Sequence, residues 1–511
     1  MNGFPWLSLL IFAPWAGALL LALAPRLGAG ASRVLALAFS ASTLALGLGA
    51  LRGFDRSRPG FQLVERHAWI AALNIHYHLG LDGMSLLLVL LTAIVSPLAL
   101  LASWRDPRAP RFYGILFLLL QGSVLGVFLS LDFFPWFLFW ELSLVPVYFL
   151  IRLWGGAGAT RAAYQFVIYT IGGSAFLLLG FAAIFVATGT LDFEELARLA
   201  VDGTLASRLA LLGGVWPKVV FAGIFLGLAV KVPLYPFHTW QPAAYAEAPV
   251  GVSMYLTAVL AKMGLYGFFR LLWPFFPGPL HAAAGFLLWL ALAGAVLGAY
   301  AALRQTDLKR MLAYSSLNHV SYCLLALFAV ARGSAAFDQV SAAAALSGAL
   351  LQIFNHGLSA AALFFCVGVL ESRADGRRGL DDFGGVRTAA PVFAGLCGIA
   401  LFSSLGLPGL NGFVGEFLIF RGVFGIVPWA AAVGCLGLLA TALFLLTFWQ
   451  RVFHGPRAGA AAGPFADLGP RELATLIPLV ALMFAFGLLP QLLAGLVNPL
   501  VSRWTGGLAL P

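Results

Sequence analysis

Four charges stand where charge is least tolerated. Glu141, Lys231, Lys262 and Glu416 each lie inside a long apolar stretch, in a chain that is 61% hydrophobic and 10% charged. An ionisable side chain at membrane depth costs at least about 2.5–3.5 kcal/mol on insertion scales, so it ordinarily faces a protein interior or water cavity on an ion path. Three histidines, His238, His319 and His356, occupy the same apolar regions, and imidazole titrates near neutrality. Lysine, glutamate and histidine in one apolar setting have one obvious chemistry in common. They pass protons.

Glu141 lies in Phe137-Leu138-Phe139-Trp140-Glu141-Leu142, too far from any loop to reach water easily. Burial disfavours an ammonium and an adjacent carboxylate favours it. A pair formed by Glu141 and Lys231 would therefore act as a switch. Lys231 and His238 are about two helical turns apart, and Lys262 follows in the next apolar run. Asp82, Asp132 and Asp307 fall near expected helix starts, where capping accounts for them. His76 and His78 form a pair without a third ligand, so no metal site is expected. Cys323, Cys366, Cys397 and Cys435 are scattered singly in apolar runs and read as buried packing, not as zinc or iron–sulfur ligands.

These residues need a scaffold that crosses a membrane many times. The mean hydropathy is +0.95, and about 14 apolar runs of some 20 residues recur along the 511 residues, each long enough for a hydrocarbon core of about 30 Å. The expected fold is an all-α membrane protein, a single polytopic domain over 1–511 with about 14 transmembrane helices. Residues 1–23 read as the first span and not as a cleaved leader. The longest polar connections, 52–78, 192–212 and 371–387, are loop-sized.

The net charge of +10 belongs to topology and not to nucleic acid. Roughly 17 Lys and Arg fall in the odd connections and about 10 in the even ones and termini. The positive-inside rule then places the odd loops in the cytoplasm and both termini outside. Trp69, Trp104 and Trp154 read as interfacial anchors.

Two spans carry breakers in mid-run. One holds Lys231-Val232-Pro233-Leu234-Tyr235-Pro236, the other Leu407-Pro408-Gly409-Leu410-Asn411-Gly412 followed by Glu416. Proline removes an N–H and glycine weakens a helix by about 1 kcal/mol. Spans 7 and 12 should therefore be broken. Paired broken helices are the sequence mark of inverted-repeat transporters, and an odd offset of five spans inverts the second copy. The expected organisation is two inverted five-helix repeats, 111–275 and 281–454, with a final span at 472–499.

Four blocks of sequence carry a resemblance. Tyr77-His78-Leu79-Gly80-Leu81-Asp82-Gly83-Met84-Ser85, Gln305-Thr306-Asp307-Leu308-Lys309-Arg310-Met311-Leu312-Ala313-Tyr314-Ser315-Ser316, Leu380-Asp381-Asp382-Phe383-Gly384-Gly385 and Pro408-Gly409-Leu410-Asn411-Gly412-Phe413-Val414-Gly415-Glu416-Phe417 resemble the antiporter-like membrane subunits of respiratory complex I, the proton-pumping NADH:quinone oxidoreductase, and of Mrp cation/proton antiporters. The likeness runs along essentially the whole chain. Glutamate at 416, where the L- and N-type and main Mrp subunits usually carry lysine, and a sequence ending soon after the fourteenth span are similar to the M-type members. The loop Trp240-Gln241-Pro242-Ala243-Ala244-Tyr245 departs from the family pattern by lacking an acid and a histidine.

The resemblance implies that Glu141 and Lys231 form an input pair, Lys262 a central relay and Glu416 the terminal proton site, with His238, His319 and His356 carrying protons between them. It further implies a non-redox, proton-translocating subunit of a translocase. Such a subunit binds no cofactor of its own, while FMN, iron–sulfur clusters, NADH and quinone belong to partner subunits. Antiporter-like chains L and N would flank it within the bilayer, and the Ala/Gly-rich composition suggests a bacterial cell (inner) membrane. The alternatives are an Mrp-type cation/proton antiporter subunit, or the membrane subunit of a hydrogenase- or formate-linked complex.

Overall fold

The computed structural model describes residues 4–106, 108–333 and 338–506. Among them, 12 helices are long and apolar enough to cross a membrane. Two further apolar segments are interrupted. The first is Trp216–Lys231 followed, after a turn region, by Gln241–Glu247; the second is Pro391–Ser404 followed by Asn411–Ile426. Both interruptions fall at the Pro and Gly clusters. The expectation for the termini concerns residues 1–3 and 507–511, which lie outside the described residues.

A broken helix in a membrane must find partners for its freed backbone groups. At the first break the Trp240 indole donates to the Val230 carbonyl at 2.9 Å, and the Leu234 N–H bonds the Ala229 carbonyl at 2.9 Å. At the second, Gly406 and Gly409 take φ of 81° and 93°, a region glycine enters without steric penalty. There Asn355 donates to the Asn411 carbonyl at 2.8 Å, and the Ser403 hydroxyl donates to Asn411 Oδ1 at 2.6 Å.

The helices with the largest buried share are Gly83–Ala102, the 250–275 segment, Leu308–Arg332 and Gln339–Arg373. They form the centre, and they carry Lys262, His319 and His356. Gln339–Arg373 and Asn411–Ile426 approach closely through glycine. A Cβ at Gly348 would lie 2.5 Å from the Ile419 nitrogen, and one at Gly422 2.3 Å from the Ala345 nitrogen. Small residues at a membrane helix interface permit this approach.

Several features depart from the sequence reading. The segment expected as a 52–78 loop holds regular structure, because Gln62–Ile70 and Ile75–Leu81 pair as an antiparallel hairpin that runs past its end. The 192–212 connection holds two helices, Phe193–Val201 and Thr204–Leu211. Asp192 caps the first through the Glu194 and Glu195 N–H groups, and two glutamates in that first turn suit the helix dipole. The single span expected over 472–499 is two helices, Pro470–Leu488 and Gln491–Thr505, because Pro490 cannot donate a helix bond and disfavours helical geometry at Leu489. Cys435 is exposed on its helix and not buried. Trp154 is packed inside at 3% exposure, with its indole donating to the Arg108 carbonyl at 2.7 Å.

Candidate functional site

Lys262 is fully buried in a segment that changes helical pitch twice. Leu256–Leu260 and Phe268–Leu272 are π-helical turns flanking Ala261–Gly267, and such turns recur at functional sites. The first turn leaves carbonyls for side chains to use. Lys262 Nζ donates to the Thr257 carbonyl at 2.7 Å, and Tyr245 Oη donates to the Leu256 carbonyl at 3.0 Å. Tyr245, one of the atypical residues of the 240–245 segment, thus braces the turn that aims Lys262.

From Lys262 a polar sequence crosses the core. Its Nζ lies 2.6 Å from His356 Nδ1. The His356 and His319 rings are 5.2 Å apart between centroids. His319 Nδ1 lies 2.8 Å from Glu416 Oε1, and the same oxygen accepts a bond from Gln352 Nε2 at 3.0 Å. Ser404 Oγ lies 3.3 Å from His319 Nε2. All of these side chains are buried, Glu416 at 6% and His319 at 1% exposure. Three of the expected residues, His356, His319 and Glu416, therefore join Lys262 in one chain of contacts. A proton can shift between amine and imidazole, and between imidazole and carboxylate; the two rings need water or rotation between them.

The first half is arranged otherwise. Lys231 is the last residue of its half-helix, where the negative end of the helix dipole favours a cation. Its Nζ stands 5.0 Å over the Trp140 ring and 6.0 Å over the Phe166 ring, and among the described residues it has no hydrogen-bond partner. Among the described residues no ion pair joins Lys231 to Glu141, whose Oε1 is likewise unpartnered. Trp140 is fixed by its indole N–H on Ser174 Oγ at 3.0 Å. Glu141 is only half-buried, so part of it faces outward from the chain. His238 lies in the break, half-buried and stacked on Tyr235 at 5.4 Å, with Nδ1 unpartnered. Among the described residues no hydrogen bond joins it to Lys231 or Lys262.

A polar cavity of about 370 Å³ opens at the Lys309 end of the central helices, lined by Arg105, Asp106, Glu247, Lys309, Glu371 and Arg378 among others. Lys309 pairs with Glu371 at 2.7 Å. Arg378 spans Glu247 at 3.0 Å and Asp307 at 2.7 Å. Ser316 and His319 follow Lys309 along the same buried helix, and Ser316 Oγ meets Thr257 Oγ1 at 2.9 Å.

The aspartates cap helices, as their positions imply. Asp82 accepts from the Ser85 N–H at 2.9 Å, Asp132 from Phe134 at 2.9 Å and Asp307 from Arg310 at 3.1 Å. Asp82 also holds Arg270 at 2.5 Å, a buried pair that sequence separation hides. His76 and His78 part company. His78 meets Asp192 and Glu194 across the chain, and these three offer ligand atoms within 4.8 Å of one another. Burial pushes the Asp132 carboxyl above its ordinary range, outweighing the N–H groups of His76 and Phe134. Asp192 is also pushed up by burial, but hydrogen bonding and charge from His78, the Glu195 N–H and Arg66 leave it below.

Broken helices around buried, hydrogen-bonded charges define an antiporter-like membrane subunit. Residues 130–443 match the family described as NADH:quinone oxidoreductase/Mrp antiporter, TM, and the chain belongs to that family. It is 35% identical to NADH-quinone oxidoreductase subunit M of Rhodobacter capsulatus, covering 97% of this chain and 96% of that one. It superposes on a chain of respiratory complex I from Thermus thermophilus with a TM-score of 0.84 at 29% identity, covering 99% and 100% of the two chains. A chain of the Mrp complex from Dietzia sp. shares the fold, with a TM-score of 0.81 at 21% identity over 98% of each chain.

Proposed function

We infer that this chain is the M-type, proton-translocating membrane subunit of an NADH:quinone oxidoreductase, itself carrying no redox centre. It would couple electron transfer in partner subunits to proton movement across the membrane. The observation that carries this reading is the buried sequence from Lys262 through His356 and His319 to Glu416. A scaffold gains nothing from burying such groups, given their insertion cost. Identity of 35% to a subunit M over nearly the whole chain favours complex I over the Mrp antiporter, for which the likeness is of fold alone.

In this reading Glu141 and Lys231 form the input pair, Lys262 and the two histidines the relay, and Glu416 the terminal site. The polar cavity at Lys309 would be the uptake mouth, with Ser316 and Thr257 between it and Lys262. The outward-facing part of Glu141 is suited to cover by a neighbouring subunit, the place expected for one of the L- and N-type chains. The two breaks, five spans apart, support inverted repeats over 111–275 and 281–454 and a count of 14 spans, two of them broken. The skew of Lys and Arg supports termini on the outer face of a bacterial inner membrane.

The test is purification in mild detergent. Flavin and iron–sulfur subunits, with NADH-driven proton uptake in vesicles, are the expected outcome. Recovery with membrane subunits alone, and sodium-linked transport without NADH, would favour the antiporter.

A further inference from the structure

Outside the relay, one cluster has the chemistry of a metal site. His78, Asp192 and Glu194 converge although 114 residues separate His78 from Asp192. The backbone holds them in place. The Leu131 N–H bonds the His78 carbonyl at 2.8 Å, and Phe193 bonds Leu131 at 2.8 Å, so the hairpin, the 130–133 strand-like turn and the start of the Phe193–Val201 helix are knitted together. The His78 ring is 1% exposed. Its Nδ1 lies 2.8 Å from Asp192 Oδ2, and its Nε2 faces Glu194 Oε2 at 3.6 Å.

That last spacing is too long for a hydrogen bond. It is the spacing of two ligands on one ion, since groups about 2.0–2.1 Å from zinc lie about 3.3–3.6 Å apart at tetrahedral to trigonal angles. A histidine that ligates through one nitrogen almost always donates the other N–H to a carboxylate, which fixes its tautomer and orientation. Asp192 occupies that place. Its other oxygen, Oδ1, accepts the Glu194 and Glu195 N–H groups at 3.0 and 3.1 Å, which locks the carboxylate, and Arg66 at 3.3 Å balances its charge. Among the described residues no Lys or Arg pairs with Glu194, which is 37% exposed and open to incoming ions. We propose that His78 Nε2 and the Glu194 carboxylate form a solvent-accessible binding site for a divalent cation of the zinc class, oriented by Asp192 and completed by water. Imidazole with carboxylate selects zinc, cobalt or nickel over magnesium or calcium. With two protein ligands the site is weak and exchangeable. An ion held there would staple the hairpin to the Phe193–Val201 helix, beside the start of the Phe133–Leu142 helix that carries Glu141.

The probe is Co²⁺ alone, titrated into the full-length chain in detergent and followed by its visible d–d absorption, with Zn²⁺ as competitor. One saturable site displaced by Zn²⁺ but not by excess Mg²⁺ is expected. Glu194→Gln, at a part-exposed side chain, should weaken binding at least about tenfold, as should His78→Gln. Asp192→Asn keeps a capping side chain but should cost about 10–100-fold as the lost orienting partner. Glu195→Gln is the control, because Glu195 turns to Thr190 Oγ1 at 2.7 Å, and it should bind as wild type. Absence of saturable binding, unchanged binding in Glu194→Gln, or equal loss in Glu195→Gln would overturn the site.

Discussion

At the first break Lys231 closes a half-helix and its Nζ has no hydrogen-bond partner among the described residues; at the second, Glu416 receives two donors on one oxygen. The difference follows from where each charge lies on its helix. Lys231 is in the last turn, where the helix dipole stabilises a cation by up to about 2 kcal/mol in partly buried geometry. Glu416 is in the second turn of Asn411–Ile426, beyond the reach of that effect, so side chains from two other helices must meet its charge. One half is held by a field and an aromatic face, the other by directed bonds. A charge held by a field can change partners with little loss; a charge held by bonds passes a proton along a fixed line. In the proposed reading the first region would work as a switch and the second as a wire.

The largest expected effect is at the switch. Glu141→Ala and Lys231→Ala should each lower NADH-driven proton uptake in vesicles by about tenfold or more, where a positioned proton-transfer group typically contributes about 10²–10⁴-fold. Glu141→Asp should be milder, and Lys231→Arg should not rescue, because arginine stays charged and does not release a proton readily. Assembly is checked on a native gel. An assembled Glu141→Ala complex pumping at the wild-type rate would make Glu141 a structural ion and remove the switch from the comparison.

Next comes the end of the wire. Glu416→Gln keeps an acceptor for His319 and Gln352 but no longer titrates. Severe loss of pumping with normal assembly is expected, close to that of Glu416→Ala. Wild-type uptake would mean that Glu416 serves only to orient His319. A smaller effect is expected for Trp140→Leu. It removes the ring beneath Lys231 Nζ, and such cation–π contacts are worth about 0.5–2 kcal/mol, so uptake should fall a few-fold. An unchanged rate would leave the helix terminus and the Phe166 ring, 6.0 Å from Nζ, as the support of Lys231.

How much of this was legible in the sequence depends on the kind of signal. The spans were legible because 20 apolar residues have few other uses, and the two breaks because Pro and Gly cluster inside them. Lys231, Lys262 and Glu416 were legible because charge in an apolar run is conspicuous. Gln352 was not, since a neutral amide in a helix has no such contrast, although it binds Glu416 directly. The π-helical turns at 256–260 and 268–272 leave no mark in composition, yet they free the carbonyl that Lys262 uses. Asp82 and Arg270 lie 188 residues apart, and His78 and Asp192 114 apart; proximity of that kind comes from folding. The break at Pro490 did carry a signal, and an apolar run on both sides of it concealed the boundary.

The finest division of the wire is between the two donors on Glu416 Oε1. Gln352 can only hold the carboxylate, whereas His319 can hold it and also carry the proton. Replacing either by leucine removes one hydrogen bond to a charged group, worth about 1.5–3 kcal/mol. If holding were the whole of their work, His319→Leu and Gln352→Leu would slow proton uptake alike. If His319 is a carrier, His319→Leu should fall toward the level of Glu416→Gln, while Gln352→Leu loses only a few-fold. Gln352→Asn adds a second reading. Its amide is one methylene short of Oε1, so it should behave as the leucine variant if the 3.0 Å bond is what matters, and as wild type if the site merely needs a polar side chain. Gly415 packs against Gln352 so closely that an added Cβ there would meet Oε1 at 2.6 Å, and assembly of the variant is checked on a native gel. Equal losses in the His319 and Gln352 leucine variants would reduce the wire to a bonded anchor and place proton transfer elsewhere in the core.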